Sequence, residues 1–392
     1  MICKRENLKK RRMMTLREIT SLHPDSLAGA STDPARAPCV ATPEKERAQA
    51  IFLHTGWRSA GTWVWSRFRA LESVNALYEP LGNLLGELRF ADIPNIQPTP
   101  DSGHTPIGAP YYDEYRSFMQ ERGYGVVGYR KRFGIDRFGD RPDDEFPALR
   151  AYLENLQDRS INQGKLPVFK FCRSSGRLPW LRNAFPRAVH AVVLRNPAAQ
   201  FASGWLLNQQ WSNPFFVAAP FRVLGLNQAE PVVKHVIETF GVRLPSSACA
   251  SVEEYAAVCE QYARTAEGSN AYRAFVALWS LCALRIAEGS DLVIDMDRIG
   301  QSPEYACELR AQFRMHANVT PDFGGARDLV GEAKRRAMQM AGIDGRSIRL
   351  ANSLAEKFLL ARVNALHESQ TGIAKVIREK LSLADEVAEG WR

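Results

Sequence analysis

Apolar positions along this chain follow two rhythms: short unbroken runs, and longer stretches spaced three to four residues apart. Ala50 to Leu53 is a run of the first kind and reads as a buried strand. Small and polar residues follow from His54 to Thr62, and the periodic run from Trp63 to Leu71 reads as a helix. Ser73 to Tyr78 reads as a second strand, stopped by Pro80. Residues 93 to 116, rich in Pro, Gly, Asp and Tyr, read as a long surface loop. Residues 143 to 163 read as a helix with Phe146, Leu149, Tyr152, Leu153 and Leu156 on one face. Pro167 to Cys172 is a strand, Leu178 to Phe185 a helix, and Val189 to Leu194 a strong, apolar-flanked strand. Glu253 to Glu288 reads as one long helix or two, Asp291 to Asp295 as a further strand, and Ser347 to Leu383 as a helix pair. Strands alternating with helices imply a parallel sheet covered by helices.

This pattern divides the chain into three parts. Residues 1–47 mix Pro, Ser, Thr and Ala with charges and are expected to be weakly ordered. An α/β domain spans 48–320, with an aromatic-rich insertion at 205–245, and 321–392 forms a helical extension. The net charge of +8 suggests an anionic ligand, but the first twelve residues hold six basic side chains against one acidic and supply +5 of it. The seven cysteines are scattered without a C-x-x-C pair, which points to reduced thiols in a cytoplasmic protein rather than to a disulfide framework or zinc site. No run is long enough to span a bilayer, and no apolar segment follows the basic N-terminus as a secretory signal requires.

Two stretches carry candidate chemistry. In His54–Thr62 a strand passes through a tight loop into a helix, so backbone N–H groups and the positive end of the helix dipole face one point. Arg58, Ser59 and Thr62 add donors suited to an oxyanion. The loop lacks the Gly-Lys-Ser/Thr ending of nucleoside-triphosphate loops. In Arg195–Ser203 a strand delivers an arginine at its C-terminal end, and a helix begun by Pro197 returns a hydroxyl towards the same edge. Each stretch alone also fits a plain structural turn with a solvated or ion-paired arginine.

Together, in this order, the stretches resemble the sulfotransferases that use 3′-phosphoadenosine 5′-phosphosulfate (PAPS) and release 3′,5′-adenosine bisphosphate (PAP). The likeness spans roughly residues 48 to 315 and includes the late segment Asp291–Glu304. It implies a P-loop-like parallel β-sheet flanked by helices. It also implies that Arg58 and the loop of Ser59, Ala60, Gly61 and Thr62 hold the 5′-phosphosulfate, that Trp63 lies at the adenine, and that Arg195 with Ser203 grips the 3′-phosphate. There are three departures, the last of which points towards bacterial and carbohydrate-type members. Arginine stands at the basic loop position, Ala60 stands where glycine is frequent, and no late basic-glycine segment is evident. If position 60 requires a positive φ, Ala60 is strained.

An acceptor hydroxyl needs a base. Glu79, in a Tyr-Glu-Pro-Leu segment similar to one in carbohydrate-type members, is the first candidate, and His104 in the long loop is its rival. Arg130, Arg132, Lys170, Arg173 and Arg177 form a second tier, Lys170 near the reaction and Arg130, Arg173 and Arg177 near the acceptor. The expected activity is sulfuryl transfer to a hydroxyl, in a sugar or glycoconjugate, without a metal and without a nucleic-acid partner. The alternatives are a P-loop kinase-like phosphotransferase and a non-catalytic basic protein that binds anions or nucleic acid.

Overall fold

A computed structural model describes residues 48–246, 248–340, 342–363 and 371–391 of the chain. The expectations for residues 1–47 lie outside the described residues. Five strands, β1 (Ala50–Thr55), β2 (Val74–Tyr78), β3 (Leu166–Phe171), β4 (Ala188–Leu194) and β5 (Leu292–Asp295), form one parallel sheet in the order β2-β3-β1-β4-β5. Their residues are buried on both faces almost without exception, which is why they read as unbroken apolar runs rather than alternating ones. Phe52 shows the density of this core, its ring 5.0 Å from Phe169, 5.5 Å from Phe171 and 5.1 Å from Phe185.

The first crossover runs through α1 (Gly61–Arg69), which starts two residues before the expected helix and ends two before it. The helix expected over 143–163 is α2 (Pro147–Asn162), whose start is set by Pro147 at its first position. α3 (Leu178–Ala184) leads to β4. The aromatic-rich insertion resolves into α4 (Pro197–Trp211), α5 (Phe215–Leu226) and α6 (Pro231–Phe240). The expected Glu253–Glu288 segment is two helices, α7 (Val252–Thr265) and α8 (Gly268–Gly289), broken at Ala266, which has an extended backbone. The short α9 (Met296–Ile299) follows β5, then α10 (Pro303–Ala317), α11 (Leu329–Arg335), α12 (Gly345–Val363) and α13 (Thr371–Ala388). The long loop over 93–116 carries only short 3₁₀ turns. No helix of the described residues is long and apolar enough to cross a membrane.

The sheet sets one edge apart. All strands are parallel, so Thr55, Tyr78, Phe171, Leu194 and Asp295 end on the same side, and each chain segment leaving the sheet starts there. Ligands gather at this carboxyl edge in open α/β sheets. The C-terminal helices belong to the same compact unit: α12 packs on α8, and α13 packs on α12, α11 and α4.

Candidate functional site

β1 delivers Gly56 to Thr62 to the carboxyl edge. Thr55 anchors the exit by donating its hydroxyl to the Phe171 carbonyl at 2.9 Å. Within the loop Arg58 and Ala60 sit at φ +64° and +67°, left-handed conformations that cost a residue with a Cβ about 1–2 kcal/mol each. The strain foreseen at Ala60 is present. Gly61 fits because a Cβ there would stand 2.6 Å from Cβ of Thr55. α1 then begins, leaving the N–H groups of Gly61 and Thr62 outside its own hydrogen-bond ladder. Ser59 needs correction: it is buried, and its hydroxyl donates to the Gly56 carbonyl at 2.8 Å, so it braces the loop rather than facing the cleft.

The second stretch meets the first. Arg195 leaves β4 and donates from Nη1 to the Arg58 carbonyl at 3.1 Å. Among the described residues this is the hydrogen bond recorded for its guanidinium, whose buried Nε has no partner. Burial, only partly offset by Asp297 and Glu332, lowers its pKa to about 10, and Arg327 and Arg336 add to the lowering. A buried, under-bonded guanidinium beside two further cations is arranged to receive an anion. Ser203, carried by α4, reaches the same place. Its hydroxyl oxygen accepts from Arg58 Nε at 3.0 Å and Nη2 at 2.9 Å, which leaves its own O–H free to donate elsewhere. Arg58 also donates to the carbonyls of Ser102 (2.6 Å) and Gly103 (3.2 Å), tying the long loop across the site. Burial and then Arg195 depress the Arg58 pKa to about 10.

β2 and β3 supply a charged pair. The ladder continues to the Glu79 N–H, which donates to the Lys170 carbonyl at 2.8 Å, and the chain then turns through φ +47° at Glu79. Lys170 donates its ammonium to one Glu79 oxygen, and the Cys172 N–H donates to the other at 3.0 Å. Burial alone would raise the Glu79 pKa, but Lys170, Arg173 and these hydrogen bonds outweigh it and hold the carboxyl below its usual range. Burial likewise opposes the Lys170 charge, yet Cys172, Glu79 and Tyr78 raise its pKa overall. His104 shares a 2.5 Å hydrogen bond between Nδ1 and the Tyr111 hydroxyl. Burial first, then Lys170 and Arg58, lower its pKa to about 3, so near neutrality it is an uncharged imidazole.

These groups line one cleft of about 450 Å³. Its wall includes Arg58, Ala60, Gly61, Thr62, Trp63, Glu79, His104, Lys170, Arg173, Arg195 and Ser203. Arg58, Ala60 and Glu79 are three of the five non-glycine residues with positive φ among those described; Ser212 and Asn318 are helix C-caps. Backbone strain of this kind concentrates where geometry serves function. Two expected residues are elsewhere. Arg130 is exposed and outside the cleft wall. Arg177 is buried as a structural tie, donating to the carbonyls of Phe133 (3.1 Å) and Ile135 (2.7 Å) and ion-paired with Asp140 at 3.8 Å. The sequence reading missed Arg327, Glu332 and Arg336, which close the Arg195 end of the cleft. The signal for them was local: Gly324-Gly325-Ala326-Arg327 and the basic run Lys334-Arg335-Arg336.

Behind the loop lies a buried histidine pair. His54 shares hydrogen bonds through Nδ1 with Ser174 Oγ (2.8 Å) and through Nε2 with His190 Nδ1 (3.0 Å). Burial is the main cause that lowers both pKa values, His190 from 6.5 to about 4. Unfolded histidines therefore take up protons first as the pH falls, and the stability held in full above pH 6.5 is lost towards pH 4. The expected slope is about 1.4 kcal/mol per pH unit for each proton taken up. Urea titrations from pH 7 to pH 5 check this; a constant midpoint across that window would contradict it.

A scan against protein-family models and searches of curated proteins and of solved structures return no match.

Proposed function

We propose that this protein transfers a sulfuryl group from PAPS to the hydroxyl of an acceptor. The observation that carries the reading is the convergence of two segments distant in sequence, with Arg195 bonded to the Arg58 carbonyl and Arg58 bonded to Ser203 on one cleft wall. Such a gathering of cationic and hydroxyl groups suits a nucleotide charged at two ends. The loop N–H groups and the Arg58 guanidinium would take the 5′ end, and Arg195 with the Ser203 O–H the 3′-phosphate. Arg327 and Arg336 would reinforce the 3′ end, with Trp63 beside the base.

Sulfuryl transfer passes through a loose transition state like that of phosphoryl transfer, so cationic stabilisation and positioning supply most of the rate. The acceptor oxygen bonds to sulfur, and the bond from sulfur to the bridging oxygen breaks. Its electron pair goes to the 5′-phosphate, and the hydroxyl proton passes to a base. Glu79 fits the base: it is ionised, fixed by Lys170 and Cys172, and keeps lone pairs beyond those two contacts. Lys170 holds Glu79 in place and adds positive charge beside the transferred group. His104, neutral and bonded to Tyr111, fits a role in orienting the acceptor. A sugar or glycoconjugate remains the acceptor class that the sequence resemblance suggests.

Transfer of labelled sulfate from PAPS to an acceptor panel tests the reading. Glu79→Gln is expected to lower kcat about a hundredfold or more while PAP affinity stays within about twofold. His104→Ala is expected to raise KM for the acceptor more than it lowers kcat. Normal turnover in Glu79→Gln would remove Glu79 from the role of base.

A further inference from the structure

The Arg195 guanidinium has one recorded hydrogen bond among the described residues, so its aim into the cleft depends on how its backbone is held. The peptide that follows it is clamped at both polar groups. Trp279 on α8 donates its ring N–H to the Arg195 carbonyl at 3.1 Å, and the Asn196 N–H donates to Asp297 at 2.7 Å. The Asn196 side-chain amide gives Asp297 a second bond at 2.8 Å, while its oxygen accepts from the Ala199 N–H at 2.8 Å as the cap of α4. Asp297 thus anchors the Arg195 turn, and Lys380 anchors Asp297. The Lys380 ammonium donates to Asp297 at 2.8 Å and also to Asp295. Asp295 in turn accepts from the N–H groups of Asp297 (3.0 Å) and Arg298 (3.1 Å).

Lys380 comes from the far end of the chain. Its helix, α13, packs on α4 and α11, and Glu386 of α13 pairs with Lys334 of α11 at 2.8 Å. Three groups of the cleft therefore lean on α13: Arg195 through Asp297, Ser203 through α4, and Arg336 through α11, which it caps. Lys380, Asp295 and Asp297 are buried and form no part of the cleft wall, so they act through other residues. A buried ion network contributes little stability over apolar packing of equal volume; what it adds here is a fixed geometry.

We propose that Lys380 is a positioning residue for the donor: through Asp297 it fixes the Arg195 turn and so aims the guanidinium at the 3′-phosphate. The proposal rests on the nucleotide reading above. It makes α13 a working part of the donor site, which is complete only with the C-terminal helix docked.

Calorimetric titration of PAP and adenosine 5′-monophosphate into full-length native protein and variants tests this. Asp297→Asn keeps the shape of the side chain and leaves Lys380 paired with Asp295. It removes a negative charge that favours the Arg195 cation, so charge alone would tighten PAP. Loss of the tie is instead expected to weaken PAP at least about tenfold and adenosine 5′-monophosphate less than about threefold. Lys380→Met is expected to show the same split. Should that variant not fold, Asp295→Asn combined with Lys380→Met removes one charge of each sign and takes its place. A PAP site unchanged or tightened in Asp297→Asn, unchanged in the Lys380 variant, or weakened equally with the monophosphate site would overturn the positioning role. Native protein that binds PAP beside indifferent variants defeats that role only, whereas native protein that does not bind PAP defeats the nucleotide reading beneath it.

Discussion

Lys380→Met is expected to cost the fold about 3–5 kcal/mol, the usual penalty for leaving buried carboxylates without their cation. Lys380 projects from α13 and is fully buried. Its ammonium bonds Asp295, and Asp297 at 2.8 Å. Asp297 in turn accepts from the Asn196 backbone N–H at 2.7 Å and from its side-chain amide at 2.8 Å. Asn196 caps α4 by accepting from the Ala199 N–H at 2.8 Å, and Arg195 precedes it directly. A C-terminal helix thus supplies the cation shared by the two carboxylates on which the Arg195 turn is built. Equilibrium urea unfolding of the variant at pH 7 measures the effect; a loss below about 1 kcal/mol would remove the network from the stability of the fold.

Arg195→Met is expected to act in the opposite way. The arginine is buried with a single recorded hydrogen bond among the described residues, so its removal should leave stability unchanged or slightly raised. Affinity for PAP should instead fall at least about a hundredfold, as expected when a buried cation loses its place opposite a phosphate. Affinity for adenosine 5′-monophosphate, which has no 3′-phosphate, should change by less than about threefold. Calorimetric titration of both nucleotides into native protein and variant reads the contrast. Equal losses for the two ligands would show that Arg195 does not act at the 3′ end.

The parts of this site visible in the sequence are those that one strand and its adjoining turn determine. Thr55, Tyr78, Phe171 and Leu194 end apolar runs, and parallel pairing sends the residues after each of them to the same edge. Arg58, Glu79 and Arg195 can therefore be nominated without knowledge of any tertiary contact, and Lys170 stands out as the one charge within the apolar run of β3. The hidden parts depend on partners far along the chain. Arg177 looks like a mobile loop cation, but carbonyls more than 40 residues away hold it in the interior. Lys380 looks like an ordinary charge on an amphipathic helix, and only its partners 83 and 85 residues away make it structural. Arg327 and Arg336 lie beyond the last strand, in a segment whose docking against the cleft no periodicity expresses. The positive φ at Glu79 is likewise invisible, because nothing in Tyr-Glu-Pro-Leu demands it.

The central claim is that one rim of the sheet holds an adenine nucleotide by two separate charged ends. Isothermal titration of the native protein with PAP and with adenosine 5′-monophosphate tests it directly. The account predicts a single PAP site at least about a hundredfold tighter than the monophosphate site, and competition between the two. Equal affinity for the two nucleotides, or no binding of either, would contradict it.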